Sequence, residues 1–160
     1  MLPSPLLSLL QNEHAELLGF VELLEQEQQA LINNALSDLI EYAKQKTARA
    51  QSLESLARER KRLFDINGVE LSPDPPHALQ RVRNLPEDVW PVLANIWSEL
   101  IQAARHANAL NQTNGKLIET RHQQNQQLMT LLQNTQSATL SYDAYGQAKL
   151  SRPGGSLGKA

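Results

Sequence analysis

The sequence contains no cysteine among its 160 residues. This excludes disulfide bonds, cysteine-based zinc sites and thiol nucleophiles, and it fits a reducing compartment. Aromatic residues are also few (2 Trp, 3 Tyr and 2 Phe), and the β-branched aliphatic residues amount to 6 Ile and 5 Val. A β-sheet core therefore has little from which to form.

The sequence also lacks a surplus of basic residues and long apolar stretches, which argues against two classes of function. The net charge is −2, whereas a nucleic-acid-binding domain normally carries a surplus of basic residues. No uncharged apolar stretch reaches the roughly 20 residues of a membrane helix. The apolar segment 1–10 has no Lys or Arg and no small-residue cleavage site, so it does not resemble a signal peptide. We expect a cytoplasmic protein that binds no nucleic acid and inserts directly into no membrane.

Helix-forming residues are abundant, with 28 Leu, 17 Ala and 16 Gln. The eight prolines leave two long windows free of proline, 6–72 and 92–152. Each window is too long to form one ordinary globular helix. The sequence therefore predicts an all-α fold, an antiparallel bundle of three to four long helices with coiled-coil-like packing and a flexible C-terminal tail.

The first window is predicted to fold into two helices. Leucines recur every seven residues at positions 10, 17, 24 and 31, which is typical of a seam between helices. Asn33-Asn34 favours a break, after which Ser37 or Asp38 could cap a second helix. Residues 1–41 contain seven acids and no Lys or Arg, whereas 44–62 contain seven bases.

This asymmetry predicts that the acidic helix lies beside the basic one. The expected surface pairs are Glu25 with Lys44 and Glu22 with Lys46. Such pairs select the register of the helices more than they stabilise them. The alternative is one continuous helix whose charges complement its dipole.

A proline-rich connection is expected over about 65–91. Gly68 is predicted to cap the preceding helix, with a β-hairpin turn at Asn67-Gly68 as the alternative. Residues 77–83 can form a short helix, and Asp88 resembles the cap of the last one, with Pro91 in its first turn. We divide the chain into a helical bundle core, 1–136, and a C-terminal partner-binding tail, 137–160.

Catalytic groupings are sparse. Glu119-Thr-Arg-His122 has a spacing that helical bundles use for metals, but such a site needs a second element of this kind and two further glutamates. The basic cluster at 58–62 includes Glu59 and follows Glu54, so we interpret it as a solvated or paired face. We therefore predict no enzyme, no metal and no cofactor, and a protein that binds other proteins.

Three segments resemble the FlgN-like flagellar export chaperones. They are Asn111-Gln-Thr-Asn114-Gly115-Lys-Leu117-Ile118, Asn125-Gln-Gln-Leu128-Met-Thr-Leu131 and Tyr142-Asp-Ala-Tyr-Gly146-Gln147. The first matches an N-x-x-N-G-x-L-[IL] element, and the last matches a Tyr-x-x-x-Gly-Gln element near the end of the chain. The proline-rich segment 65–91 and the Ser141-Tyr142-Asp143 context depart from the family pattern.

The resemblance implies a cytoplasmic chaperone of flagellar type III export. Its partners would be the hook–filament junction (hook-associated) proteins and the export-gate membrane protein. The motif tyrosine, here Tyr142, would dock at the gate, with Gly146 and Gln147 completing the motif. To these residues we add Leu140, Tyr145 and Leu150 as apolar anchors in the tail. The family residues expected in helix packing are Asn111, Asn114, Gly115, Leu117, Ile118 and Asn125.

Two alternatives remain open from the residues alone. The chain could be a self-associating structural coiled-coil or adaptor protein that pairs through the stripes 10–39 and 93–132. Tyr142 could be an ordinary half-buried aromatic at the end of the last helix. The chaperone interpretation predicts instead a monomer or weak homodimer.

Overall fold

Three long helices dominate the computed structural model, which describes residues 4–83, 85–121, 130–134, 140–142, 146 and 148–150. The helices are α1 (Pro5–Asn33), α2 (Leu36–Asn67) and α3 (Trp90–Arg121). Residues 130–134 are also helical. The prediction of an all-α bundle is confirmed.

The break between α1 and α2 lies where the sequence predicts it. Asn34 ends α1 in the left-handed conformation (φ 56°), which asparagine adopts more readily than most residues. The backbone N–H of Ala35 then bonds the Ala30 carbonyl at 2.9 Å. The predicted cap at Ser37 or Asp38 is wrong, because α2 already begins at Leu36 and Ala35 makes no side-chain cap bond.

The acidic and basic helices are antiparallel, but their predicted pairing is wrong in register. Lys46 pairs with Glu27 rather than Glu22, at 3.2 Å, and Arg60 pairs with Glu13 at 2.8 Å. Both pairs are buried rather than on the surface. The surface-pair prediction failed because it assigned the charges to the outer faces, whereas these four residues occupy seam positions.

Helix α3 runs parallel to α1, giving an up-down-up bundle. Asn114 bonds the Leu24 carbonyl, and Arg121 near the end of α3 bonds the Ile32 carbonyl near the end of α1. A large apolar core joins the first halves of α1 and α3 to the second half of α2. A smaller one, around Leu31, Leu39 and Ile118, fills the other end and includes Leu132.

The proline-rich connection contains a small sheet. Gly68 ends α2 with φ 65°, which confirms the predicted cap. Strand β1 (Glu70–Leu71) pairs antiparallel with β2 (Leu79–Arg81), so the short helix predicted over 77–83 is wrong. The Trp97 indole N–H donates to the His77 carbonyl at 3.0 Å and attaches the connection to α3. Helix α3 has Pro91 in its first turn as expected, and it begins two residues after Asp88.

A second hairpin follows the helices. Strand β3 (Leu140–Tyr142) pairs antiparallel with β4 (Ala148–Leu150). Strand β3 contacts α2 and α3, and β4 contacts α2. The described part of the predicted tail therefore lies against the bundle. The proposed core boundary after residue 136 and the segment 151–160 fall outside the described residues.

Candidate functional site

The C-terminal hairpin brings together Leu140 and Leu150, the first and last of the six residues predicted to bind partners in the tail. Leu140 lies opposite Leu150 in the strand register, and Tyr142 lies opposite Ala148. Two three-residue strands without a third strand are marginal alone. The hairpin therefore depends on its contacts with the helices.

Those contacts centre on a buried ion pair. Arg60 donates from Nε to the Glu13 carboxylate at 2.8 Å and from Nη2 to the Gly146 carbonyl. The Tyr142 hydroxyl donates to the other Glu13 oxygen at 3.3 Å. We call Glu13, Arg60, Tyr142 and Gly146 the hairpin cluster. It connects α1 and α2 to the C-terminal hairpin.

Two aromatic rings lie beside Arg60 in the hairpin cluster. The Arg60 guanidinium carbon lies 5.2 Å from the Trp97 ring centroid and 5.7 Å from that of Phe64. A planar guanidinium suits such a site because it can stack on rings while its edge donates hydrogen bonds. Gly146 lies against the same indole, since an added Cβ would be only 2.7 Å from Trp97 Cη2.

The half-buried position of Tyr142 changes the pKa of its hydroxyl. Burial raises the pKa of its hydroxyl above the ordinary value, and the neighbouring Glu13 carboxylate raises it further. Arg60 acts in the opposite direction without cancelling the shift. The hydroxyl is therefore protonated at neutral pH and is a hydrogen-bond donor to Glu13.

A second buried cluster involves the family motif on α3. Asn114 is fully buried and donates from Nδ2 to the Leu24 carbonyl and to Glu27, both at 2.9 Å. The same Glu27 oxygen accepts from Lys46 at 3.2 Å. Burial lowers the pKa of Lys46, and Glu27 opposes that shift. We call Glu27, Lys46 and Asn114 the asparagine cluster.

The asparagine cluster lies between the two apolar cores. Along each helix its member falls between buried residues of the large core and those of the small core, as Glu27 does between Leu24 and Leu31. The Asn114 Oδ1 has no hydrogen-bond partner within the described part of the chain. A polar group placed this way restricts helix register at some cost in stability.

The remaining predicted residues divide into three groups. Ile118 is buried, and Asn111, Gly115 and Leu117 beside it are half-buried. For Leu140 and Leu150 the structure describes the backbone only. Asn125, Tyr145 and Gln147 lie outside the described residues, so their predicted roles stay predictions.

Sequence reasoning missed Glu13, Arg60 and Trp97 as partners of the hairpin. The signal was present as a seven-residue repeat: Leu6, Glu13, Phe20 and Glu27 on α1, and Leu39, Lys46, Leu53 and Arg60 on α2. All eight are buried. Charged residues at seam positions of a heptad are internal, so this repeat identifies both ion pairs.

Neither a metal centre nor a membrane span emerges from the described ranges. Between residues 4 and 150, gaps excepted, no group of three or more His, Asp or Glu side chains could hold a metal ion. His122 of the Glu119-x-x-His122 element lies among the residues not described. The helices described here are not apolar enough over a sufficient length to cross a membrane.

Comparison with known proteins agrees with the resemblance of the motifs. A family model described as FlgN protein matches residues 1–149. No curated protein and no solved structure gives a match. The family match covers all three helices, both buried clusters and the hairpin up to β4, which is nearly the whole chain. The chain therefore belongs to the FlgN family, whose members are flagellar type III export chaperones.

Proposed function

We propose that this chaperone binds hook–filament junction proteins in the cytoplasm and delivers them to the export-gate membrane protein. The proposal rests on the family match over residues 1–149, which includes Tyr142, Gly146 and Gln147 of the Tyr-x-x-x-Gly-Gln element. Junction proteins must be kept from assembling before export. An amphipathic helical surface or an added strand can cover their apolar segments.

The architecture supports a division of labour within the chain. The three helices form a scaffold whose register is determined by two buried ion pairs. The hairpin lies against α2 and α3 at one end of this scaffold. A binding segment presented this way can change position without unfolding the scaffold, because the ion pairs that join α1 to α2 lie within the helices.

The stripes that could support self-association are used inside one chain. Leu10, Leu17 and Leu24 of α1 are fully buried, as are Leu93 and Leu100 of α3. Since these faces pack against each other, they are not available for pairing with a second copy. This supports a monomer or weak homodimer rather than a structural coiled-coil protein.

The decisive experiment is co-purification of a junction protein from the source cell with truncated chains. A chain ending at residue 137 lacks the hairpin, whereas a chain ending at 150 keeps it and lacks only the following segment. We expect the first to retain helical circular dichroism and to lose cargo. Cargo binding by the chain ending at 137 equal to that of the full chain would contradict the assignment of the tail.

Gate docking is tested in the same material with the cytoplasmic domain of the export-gate protein. Tyr142→Ala is expected to retain cargo and to lose gate binding. Tyr142→Phe keeps the ring and serves as the matched variant for the hydroxyl. If Tyr142→Ala binds cargo and gate as the unmodified chain does, Tyr142 has a packing role only.

A further inference from the structure

Both described residues of the family's tyrosine element are engaged inside the chain. The Tyr142 hydroxyl faces Glu13, and the Gly146 carbonyl accepts from Arg60. Gly146 itself is buried against Trp97. A partner that uses this element must therefore compete with α1 and α2 for the same groups.

We propose that the hairpin cluster is an autoinhibitory contact, with the hairpin either docked on Glu13 and Arg60 or released to the partner. This inference rests on the proposed function, because it takes Tyr142 as the partner-binding residue. Arg60 and Glu13 are then positioning residues. They act on the partner only by setting the fraction of chains in which the hairpin is free.

The ion pair between the helices survives release of the hairpin, whereas the contacts of the hairpin with it do not. The Arg60–Glu13 bond at 2.8 Å joins α1 to α2 and does not require the hairpin. Among the contacts of the described residues, release breaks the hydrogen bonds of Tyr142 and Gly146 and the packing of Gly146 on Trp97. Water can replace both hydrogen bonds, so the net contribution of each is modest.

A cavity offers the partner a first contact. It has a volume of about 290 Å³ and lies between the connection and α3, lined by Pro75, His77, Ile101, Ala104, Arg105, Asn108 and Tyr142. Tyr142 thus forms one wall of an open space while its hydroxyl bonds Glu13 on the inside. A side chain entering the cavity could displace the ring from its docked position.

The expected effect follows from the population of the released state. Apparent affinity is the intrinsic affinity multiplied by the released fraction. A variant that frees the hairpin can therefore strengthen partner binding, up to the inverse of that fraction. Weakening one charge-assisted contact shifts the balance by about tenfold, which corresponds to about 1.4 kcal/mol.

The two buried glutamates provide a matched pair of variants. Glu13→Gln weakens the contacts to Arg60 and Tyr142. Glu27→Gln removes an equivalent buried charge beside Lys46, and Glu27 bonds Lys46 and Asn114 rather than any described hairpin residue. We expect Glu13→Gln to speed amide hydrogen exchange at 140–142 and 148–150 about tenfold and to bind the cytoplasmic domain of the export-gate protein about tenfold more tightly. We expect neither change in Glu27→Gln.

Gly146→Ala gives a second route to release that leaves the three helices unaltered. Its Cβ would meet Trp97 at 2.7 Å at a backbone φ of +75°. We expect fast hairpin exchange with helix exchange unchanged. This variant is used for the exchange measurement only, so it decides whether the docked state exists even if Glu13→Gln fails to fold.

Each outcome separates the inference from the proposed function. Slow exchange in both Glu13→Gln and Gly146→Ala would show that the hairpin cluster does not hold the hairpin, and fast exchange in the unmodified chain would show that the hairpin is not docked; either result overturns the inference. Fast exchange in Glu13→Gln without tighter gate binding overturns autoinhibition and leaves the proposed function intact. Gate binding by neither the unmodified chain nor the released variant overturns both.

Discussion

Each of the two buried clusters contains an ion pair between α1 and α2, and the clusters differ in the element that binds this pair. Glu13 and Glu27 are 14 residues apart on α1, as are Lys46 and Arg60 on α2, so both pairs obey the same antiparallel register. The asparagine cluster adds Asn114 of α3, a long helix in both apolar cores. The hairpin cluster adds a short hairpin at one end of the bundle.

The basic residue of each cluster, Arg60 or Lys46, fits the element that the cluster binds. Arg60 has donors on several nitrogens and bonds Glu13 and Gly146 at once while stacking on Trp97. Lys46 places a compact charge on Glu27, and the amide of Asn114 supplies the link to α3. A guanidinium can satisfy a carboxylate whether or not its other edge is occupied. Arginine therefore suits a contact with the hairpin, which can be released, whereas Asn114 belongs to α3, which remains packed in the bundle.

The largest expected effect compares Lys46→Met with Arg60→Met. Removing Lys46 leaves the Glu27 charge buried among three helices, and breaking such a pair costs about 3–5 kcal/mol. Removing Arg60 also leaves the Glu13 carboxylate without its ion-pair partner, but release of the hairpin can admit water to Glu13. We expect a smaller loss in global stability, accompanied by release of the hairpin. Urea unfolding followed by circular dichroism measures the free energy of unfolding of both variants. Equal losses would show that the two clusters contribute equally to the stability of the bundle.

A smaller effect is expected for Asn114→Ala. This change removes two donated hydrogen bonds, to Leu24 and Glu27, and leaves a cavity, so we expect a loss of about 1–3 kcal/mol. Exchange of the hairpin amides should stay unchanged, because none of the described hairpin residues bonds Asn114. Thr113→Ala, at an exposed neighbouring position, serves as the control and should stay within about 0.5 kcal/mol. Hairpin release in Asn114→Ala would show that the clusters are coupled.

The helices were predictable because their signals are local and repeated. Proline-free windows, heptad leucines and Asn34 gave the all-α bundle and the position of the first break. Charge alone does not predict whether a charged residue faces the seam or the solvent. Glu22 and Glu27 are equivalent by charge, and only the seven-residue repeat places Glu27 in the seam. The leucine repeat alone does not reveal the two buried pairs, which become predictable only when charged residues are included in the repeat.

The hairpin was harder to predict. Its strands have three residues each and no strong alternation, and they are held by Glu13 and Arg60, far away in sequence. The error at 77–83 has a similar origin, because pairing with β1 and the Trp97 bond to His77 decide its conformation. Long-range contacts of this kind override local preference.

The smallest effect is a pH dependence confined to the hairpin cluster. Burial and Glu13 hold the pKa of Tyr142 above its ordinary value near 10 in the docked state. Above pH 10 a released Tyr142 loses its proton while a docked one keeps it. The contribution to docking is therefore fully present below pH 10 and is lost as the pH rises, by at most about 1.4 kcal/mol per pH unit.

Four charged or titratable side chains face Tyr142. They are Glu13 on α1, Arg60 on α2, and His77 and Arg105 across the cavity. In a Trp90→Phe background, Trp97 emission should report release of the hairpin between pH 10 and 11. Because Tyr142→Phe has no proton to lose, the same transition in that variant would assign the change to another group and leave the hairpin cluster without a pH-dependent step.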